Sequence, residues 1–136
     1  MVNIDLEYPI MAFKEELKGD YYVFNKNDFG FVSKGQGRFY NNLHVIDSSG
    51  NTYKIVSVNV KGFAGIIKSI RFLQKIEELD LHLEKQGSTS LDELKSKILN
   101  SIKHHPRKFD SRYDGTPWSV RLSTIQSFSE LFLLFR

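Results

Sequence analysis

The residues best suited to binding a charged partner are concentrated between positions 95 and 112. Six cations fall in this segment against one acid, Asp110, so its local net charge is +5, compared with +3 for the whole chain. Such clusters neutralise phosphates, and each neutralised phosphate adds salt-dependent affinity. The sequence therefore predicts a candidate anion or nucleic-acid patch, made of Lys103, His104, His105, Arg107, Lys108 and Arg112.

The same cluster also has a purely structural interpretation. The apolar residues Leu91, Leu94, Ile98 and Ile102 have helical spacing. Cations near the end of such a helix stabilise its exposed carbonyl groups and complement its macrodipole. We take this structural role as the expected one and keep nucleic-acid binding as the alternative.

Catalytic and metal-binding constellations are not apparent in the sequence. His104 and His105 are adjacent, and neighbouring residues on a helix do not face each other, so they rarely share one metal ion. The chain has no cysteine, which excludes disulfides, zinc–thiolate sites and a thiol nucleophile. We therefore predict no catalytic residues, no cofactor and no metal site, with an enzyme of dispersed site residues as a further alternative.

Tyr113 and Trp118 are the candidate contacts for a protein partner. They lie in the polar segment 107–118, which shows neither helical nor strand periodicity and is suited to recognition. Aromatic residues often dominate the binding energy of protein interfaces. Trp118 is equally suited to anchoring the core, and we favour that role for it.

One stretch raises the question of RNA binding. Phe29-Gly30-Phe31-Val32 resembles the centre of the RNA-contacting octamer of the RNA-recognition motif family. The octamer begins with a basic residue and a glycine and ends with an aromatic residue, whereas this chain has Asn27, Asp28 and Lys34 there. We therefore interpret the stretch as a strand and a turn, with Phe29 and Phe31 on one strand face, Gly35 and Gly37 in the turn, and Phe39 opening the next strand.

The first sixty residues have the pattern of consecutive strands. The segments 21–25 and 29–33 flank Lys26-Asn27-Asp28, which predicts a hairpin. Ser48-Ser49-Gly50-Asn51 predicts a turn before a strand at 52–60, in which Val56, Val58 and Val60 would share one face. The pattern favours an antiparallel meander.

The second half of the chain has the pattern of helices, with one ambiguous region. Residues 63–86 read either as a short helix or loop at 63–73 and a strand at 77–85, which we prefer, or as one long helix. Ser90 and Glu93 form a capping box for the next helix, and Pro106 ends it. An extended piece at 118–122 is expected to precede a closing helix that begins with a second capping box at Ser123.

Together these patterns predict one α+β domain over residues 1–136, with a meander of five or six strands followed by two or three helices packed on one face. The predicted function is a small, soluble, cytoplasmic protein-binding module without enzyme activity, such as an inhibitor or immunity-type protein that occludes a partner protein. A nucleic-acid-binding protein that uses residues 95–112 is the alternative. No segment is apolar and long enough to suggest a membrane span.

Overall fold

The computed structural model describes residues 1–14, 19–65 and 75–136. It shows an antiparallel sheet of six strands followed by helices, which confirms the α+β prediction. The strands are β1 (Ile10–Phe13), β2 (Tyr22–Phe24), β3 (Phe31–Ser33), β4 (His44–Ile46), β5 (Asn51–Phe63) and β6 (Ile76–Ser88). The α-helices are α1 (Leu91–His104), α2 (Trp118–Ser123) and α3 (Phe128–Leu133), and 3-10 helices span Gly37–Tyr40 and Pro106–Arg112.

The strands lie in the order β2-β1-β4-β5-β6-β3. The predicted hairpin between β2 and β3 is therefore wrong, because these strands form the two opposite edges of the sheet. Their short connection nevertheless brings the edges near each other, and the rings of Phe24 and Phe29 lie 5.4 Å apart. The sheet is accordingly curled.

Two cores lie on the two faces of the sheet because side chains alternate along each strand. Met11 and Ile46 face the helices and pack with Ile98, Phe132 and other residues of that layer. Ile10 and Ala12 point the other way, into the concave face, where they pack with Tyr40 and the buried leucines of β6. The helical layer closes one side, and the curl of the sheet closes the other.

The long hairpin of β5 and β6 settles the ambiguous region. The strand predicted at 77–85 is confirmed, because β6 pairs with β5 along its whole length, and the competing single helix over 63–86 is wrong. Phe63 is the last residue of β5, and most of the short helix or loop predicted at 63–73 lies outside the described residues.

Bulges alter the side-chain alternation of β5. The register shifts between Ile55 and Ser57, so that one extra residue on β5 changes which face the following side chains occupy. As a result Val58 packs on the concave core together with Ile55, whereas Val56 is exposed. The prediction that Val56, Val58 and Val60 share one face is wrong for this reason.

The predicted start and end of helix α1 are confirmed. The Ser90 hydroxyl accepts a hydrogen bond from the Glu93 amide at 3.1 Å, which caps the first turn. The Glu93 carboxylate, which the capping box would direct back to the Ser90 amide, instead accepts a hydrogen bond from the Thr89 hydroxyl at 3.4 Å. The helix ends at His104, just before Pro106.

The predictions after α1 need correction. The segment 107–118 is not an irregular loop, because a 3-10 helix spans Pro106–Arg112 and inserts Phe109 into the core. Residues 118–122 are helical rather than extended. The closing helix is capped by Ser127, whose hydroxyl accepts from the Glu130 amide at 3.1 Å, and not by Ser123.

Candidate binding surfaces

Most of the cations in the basic segment 95–112 make ion pairs or hydrogen bonds within the chain. Lys108 forms an ion pair with Asp20 at 2.6 Å, and Lys97 forms one with Glu93 at 3.6 Å. Arg112 donates a hydrogen bond to the Phe135 carbonyl at 3.3 Å, and Lys95 donates one to the Ile125 carbonyl. These contacts tie α1 and the following 3-10 helix to the rest of the chain, which supports the structural interpretation of the cluster.

The rest of the predicted patch is exposed. Lys103, His104, His105 and Arg107 all lie on the surface at the end of α1. His104 Nδ1 lies 2.8 Å from the Asn100 carbonyl oxygen of its own helix, an ordinary local contact. Nucleic-acid binding by this segment stays a prediction.

The two aromatic candidates lie in different environments. Trp118 is only 8% exposed and stacks on Phe135, with ring centroids 5.9 Å apart and nearly parallel planes. The Arg121 guanidinium lies 4.3 Å from the Trp118 ring centroid, within cation–π distance. Trp118 is therefore a core residue, whereas Tyr113 is 52% exposed and stays a candidate contact.

The stretch that resembles the RNA-binding octamer does not present two aromatic rings on an open sheet face. Phe29 lies in the turn before β3 and is 3% exposed, so it belongs to the concave core. Phe31 begins β3 and is half-buried. The predicted shared strand face is therefore wrong. Gly35 has the expected positive φ of 84°, but Gly37 and Phe39 lie in a 3-10 helix and not in a turn and a strand.

That same stretch instead lines a pocket, which we call the aromatic pocket. It has a volume of about 440 Å³ and lies between the two edge strands. Phe24, Phe31 and Phe39 form its aromatic walls, and Asp28, Ser33 and Gln36 contribute polar groups. The local signal for this site in the sequence is weak: Asp28 is an acid at a position where the RNA-binding octamer has a glycine.

Tyr40 supports the pocket from behind. Its hydroxyl accepts a hydrogen bond from the Gly30 amide at 3.1 Å and donates to the Phe31 carbonyl at 3.5 Å. Burial raises the pKa of Tyr40 to about 12, and the nearby Asp28 carboxylate acts in the same direction. The phenol is thus neutral at physiological pH and fixes the chain where it enters β3.

The outer edge of β6 is protected by other parts of the chain. The Leu79 amide donates to the Gly30 carbonyl at 2.8 Å, and the Leu81 amide donates to the Met1 carbonyl at 2.7 Å. Asn3 then uses its side chain as a substitute for a strand backbone. Its Oδ1 accepts from the Leu83 amide at 2.7 Å, and its Nδ2 donates to the Leu83 carbonyl at 3.2 Å.

The outer edge of β5 is different. Beside β4 it is paired as far as Ile55, whose amide donates to the Leu43 carbonyl at 2.9 Å. Within residues 1–14, 19–65 and 75–136, the backbone of β5 beyond Ile55 pairs with β6 alone. We call the stretch from Val56 to Phe63 the open edge.

The ladder shows which backbone groups of the open edge face outward. Leu79, Leu81 and Leu83 direct their amides away from β5, so the intervening His82 and Asp80 must direct theirs toward it. Ser57 and Asn59 lie opposite those two residues and face β6. The amide and carbonyl groups of Val58 and Val60 therefore point outward from the sheet.

Apolar side chains accompany these groups. Val56 is 44% exposed, Val60 is 60% exposed and Phe63 is 50% exposed. Exposed strand edges with apolar side chains are templates for pairing with another chain, and proteins usually block them with charges, bulges or covering segments. The open edge has one lysine, Lys61, which forms an ion pair with Glu78 at 3.4 Å.

Two further properties concern the described residues as a whole. Among them, no three His, Asp or Glu side chains lie close enough together to hold a metal ion. No helix in the described ranges is both long and apolar enough to cross a membrane.

Comparisons of the chain with protein-family models, with curated proteins and with solved structures found no match.

Proposed function

We propose that this chain is a non-enzymatic, cytoplasmic protein-binding module of the inhibitor or immunity type. Its open edge adds an extended segment of a partner protein to the sheet as a further strand and so occludes that segment. The observation that carries the proposal is the contrast between the two edges of the β5–β6 hairpin, one covered by the chain itself and the other, beyond Ile55, covered by none of the described residues.

The backbone of the open edge supports the proposal because it provides a short hydrogen-bonding template. Val58 and Val60 each present one donor and one acceptor outward, which suits a partner strand of about four residues. Each hydrogen bond gained in this way contributes a net of about 0.5–1.5 kcal/mol. Strand addition of this kind is a recurring mode of peptide recognition.

The side chains of the open edge supply the remaining affinity and the specificity. Fully burying a valine or phenylalanine side chain contributes about 1.5–3 kcal/mol, so burying the exposed portions of Val60 and Phe63 contributes roughly half of that each. Apolar side chains of the partner segment at alternate positions would contact them. The absence of cysteine fits a reducing compartment, which is why we propose the cytoplasm.

Site-specific photo-cross-linking in the producing cell tests this function. A photoreactive phenylalanine analogue placed at Val60 should cross-link to an extended segment of a partner, identified by mass spectrometry. The same analogue at Gln86 is the matched control, because Gln86 is also exposed but lies on β6 near the opposite end of the hairpin.

Each outcome of this test bears on the proposal. A partner peptide recovered from position 60 and not from position 86, and lost when Phe63→Lys is added, supports strand addition. The same cross-links from both positions contradict it. Cross-links only to a second copy of this chain would also overturn it, since the open edge would then be a homodimer interface.

A further inference from the structure

The aromatic pocket combines apolar walls with polar groups that have no partner among the described residues. Its volume of about 440 Å³ lies within the range of small-molecule and side-chain binding sites. Phe24 comes from β2, Phe31 from β3 and Phe39 from the 3-10 helix, so three separate elements hold the rings around one space. The walls are thus set by the fold and not by one loop.

Asp28 is the charged group of the pocket. Its amide donates to the Asn25 carbonyl at 3.1 Å, and its carbonyl accepts from the Phe31 amide at 3.3 Å, so its backbone is fixed in the turn. No described residue donates a hydrogen bond or forms an ion pair with its half-buried carboxylate. The side chains of Ser33 and Gln36 likewise have no partner in the described part of the chain.

Aromatic faces and a carboxylate together select for a cation. A cation within about 6 Å of a ring centroid is attracted by the ring quadrupole. The chain itself uses this interaction, since the Lys14 ammonium lies 5.2 Å from the Phe39 centroid and the Lys75 ammonium lies 5.5 Å from that of Phe63. Lys14 also donates to the carbonyls of Phe39 and Asn41, which holds its ammonium at the backbone of the 3-10 helix.

We propose that the aromatic pocket binds an arginine or lysine side chain of the partner protein, with Asp28 as its counter-ion and the phenylalanine rings packed on its aliphatic stem. This inference rests on the proposed function, because it takes a protein as the partner. It adds the class of side chain that the partner must present.

The position of the pocket allows one partner to contact both surfaces. Phe63 on the open edge lies opposite Glu77 on β6, and Glu77 lies opposite Val32 on β3 beside the pocket. Neighbouring strands are about 5 Å apart, so Phe63 and Val32 are separated by about 10 Å. A partner strand on the open edge lies one further strand spacing away, about 15 Å from Val32, so a basic residue in the segment that flanks this strand would be the one to reach the pocket.

Titration with single side-chain analogues, followed by the NMR signals of Phe24, Phe31 and Phe39, tests the inference. The probes are Nα-acetyl-arginine-N-methylamide, its neutral citrulline counterpart and butylguanidinium. We expect the arginine probe to bind with a Kd on the order of 1 mM, and at least about tenfold more tightly than the citrulline probe. Asp28→Asn should remove this preference, whereas Asp110→Asn, which makes the same charge change on an exposed residue of the helical layer, should leave it unchanged.

Each result supports or overturns the inference. Equal binding of the arginine and citrulline probes, or a preference that survives Asp28→Asn, would exclude Asp28 as a counter-ion. Binding of butylguanidinium without binding of the arginine probe would point to a free guanidinium compound as the ligand and would overturn the assignment to a partner side chain. Because the probes need no partner strand, a failure here is separate from a failure of the cross-linking at Val60.

Discussion

The two outer edges of the β5–β6 hairpin differ in how far the described residues cover them. Along β6, Gly30 and the N-terminal residues satisfy the outward amides of Leu79, Leu81 and Leu83, and the Asn3 side chain takes the place of a strand backbone. Along β5, the described chain provides no such cover beyond Ile55. Because open edges carry a risk of aggregation, a hairpin with one edge covered and the other left open by the described residues, with apolar side chains along it, is suited to strand addition at that second edge.

Bulges limit the open edge to a short template. Register shifts lie between Ile55 and Ser57 and between Val60 and Gly62, so only Ser57–Val60 forms a regular stretch. Bulges twist a strand and discourage long pairing. The open edge should thus accept a short partner segment and resist indefinite edge-to-edge association.

The largest expected effect contrasts two residues that lie opposite each other in the hairpin. Leu79 is fully buried, whereas its cross-strand neighbour Val60 is 60% exposed. We expect Leu79→Ala to lower the free energy of unfolding by about 2–5 kcal/mol, because it leaves a cavity in the concave core. Val60→Ala should change it by less than about 0.5 kcal/mol. Urea unfolding of both variants checks the contrast, and equal losses would show that the open edge is part of the core.

Alkaline pH should lower the free energy of unfolding through Tyr40, which lies in the concave core. The pKa of Tyr40 is about 12 in the folded chain, compared with about 10 when unfolded. Between these values the unfolded state has lost a proton that the folded state retains, so stability falls as pH rises, by up to about 1.4 kcal/mol per pH unit.

The Tyr40→Phe variant should remove the contribution of Tyr40 to the fall of the unfolding free energy with pH. It should also cost about 1 kcal/mol at neutral pH, since the Gly30 amide loses its acceptor. Tyr113→Phe, at an exposed tyrosine, is the control and should leave the slope unchanged. Urea unfolding at pH 10, 11 and 12 measures all three proteins; a Tyr40→Phe slope equal to that of the unmodified chain would refute the account of Tyr40.

Removing the Asn3 side chain tests how the outer edge of β6 is protected. Asn3→Ala leaves the amide and carbonyl of Leu83 without their partners. We expect a loss of about 1–2 kcal/mol in unfolding free energy, in the range for unsatisfied, partly buried polar groups. Asn59→Ala, on the open edge, removes only an exposed contact to Ser57 and should cost less than about 0.5 kcal/mol. If both variants lose the same stability, Asn3 does not protect the edge.

The smallest expected effect on stability is that of a charge on the open edge. Val60→Lys should change the unfolding free energy by less than about 0.5 kcal/mol, because the position is exposed, yet it should abolish the cross-links that the photoreactive analogue forms when it replaces Phe63. Gln86→Lys is the matched charge control and should preserve them. Retention of the Phe63 cross-links in Val60→Lys would mean that the partner does not pair along this strand.

Local signals in the sequence predicted some elements well. Helix α1 has its cap at Ser90 and its stop at Pro106, both encoded within a few residues, and the strict alternation of Leu79, Leu81 and Leu83 identified β6. The partners of the strands were not predictable in this way. A turn signal at Lys26-Asn27-Asp28 predicts that the chain reverses, but the pairing of β2 and β3 with other strands depends on distant packing.

The candidate sites were harder to predict for the same reason. The aromatic pocket joins residues of β2, β3, the first 3-10 helix and β6, so no single segment carries its pattern. The open edge depends on where β4 ends and on a bulge after Ile55, and neither has a distinct local signal. The cations at 95–112 were visible in sequence, but only the fold shows that Lys108 and Arg112 are committed to Asp20 and the Phe135 carbonyl.

Amide hydrogen exchange tests the central claim most directly, because it reads the two edges of one hairpin in one experiment. We predict that the outward amides of Val58 and Val60 exchange within about tenfold of the unprotected rate, whereas those of Leu79 and Leu83 are slowed by roughly a thousandfold or more. Comparable protection at all four positions would show that the edge of β5 is covered and would contradict the account.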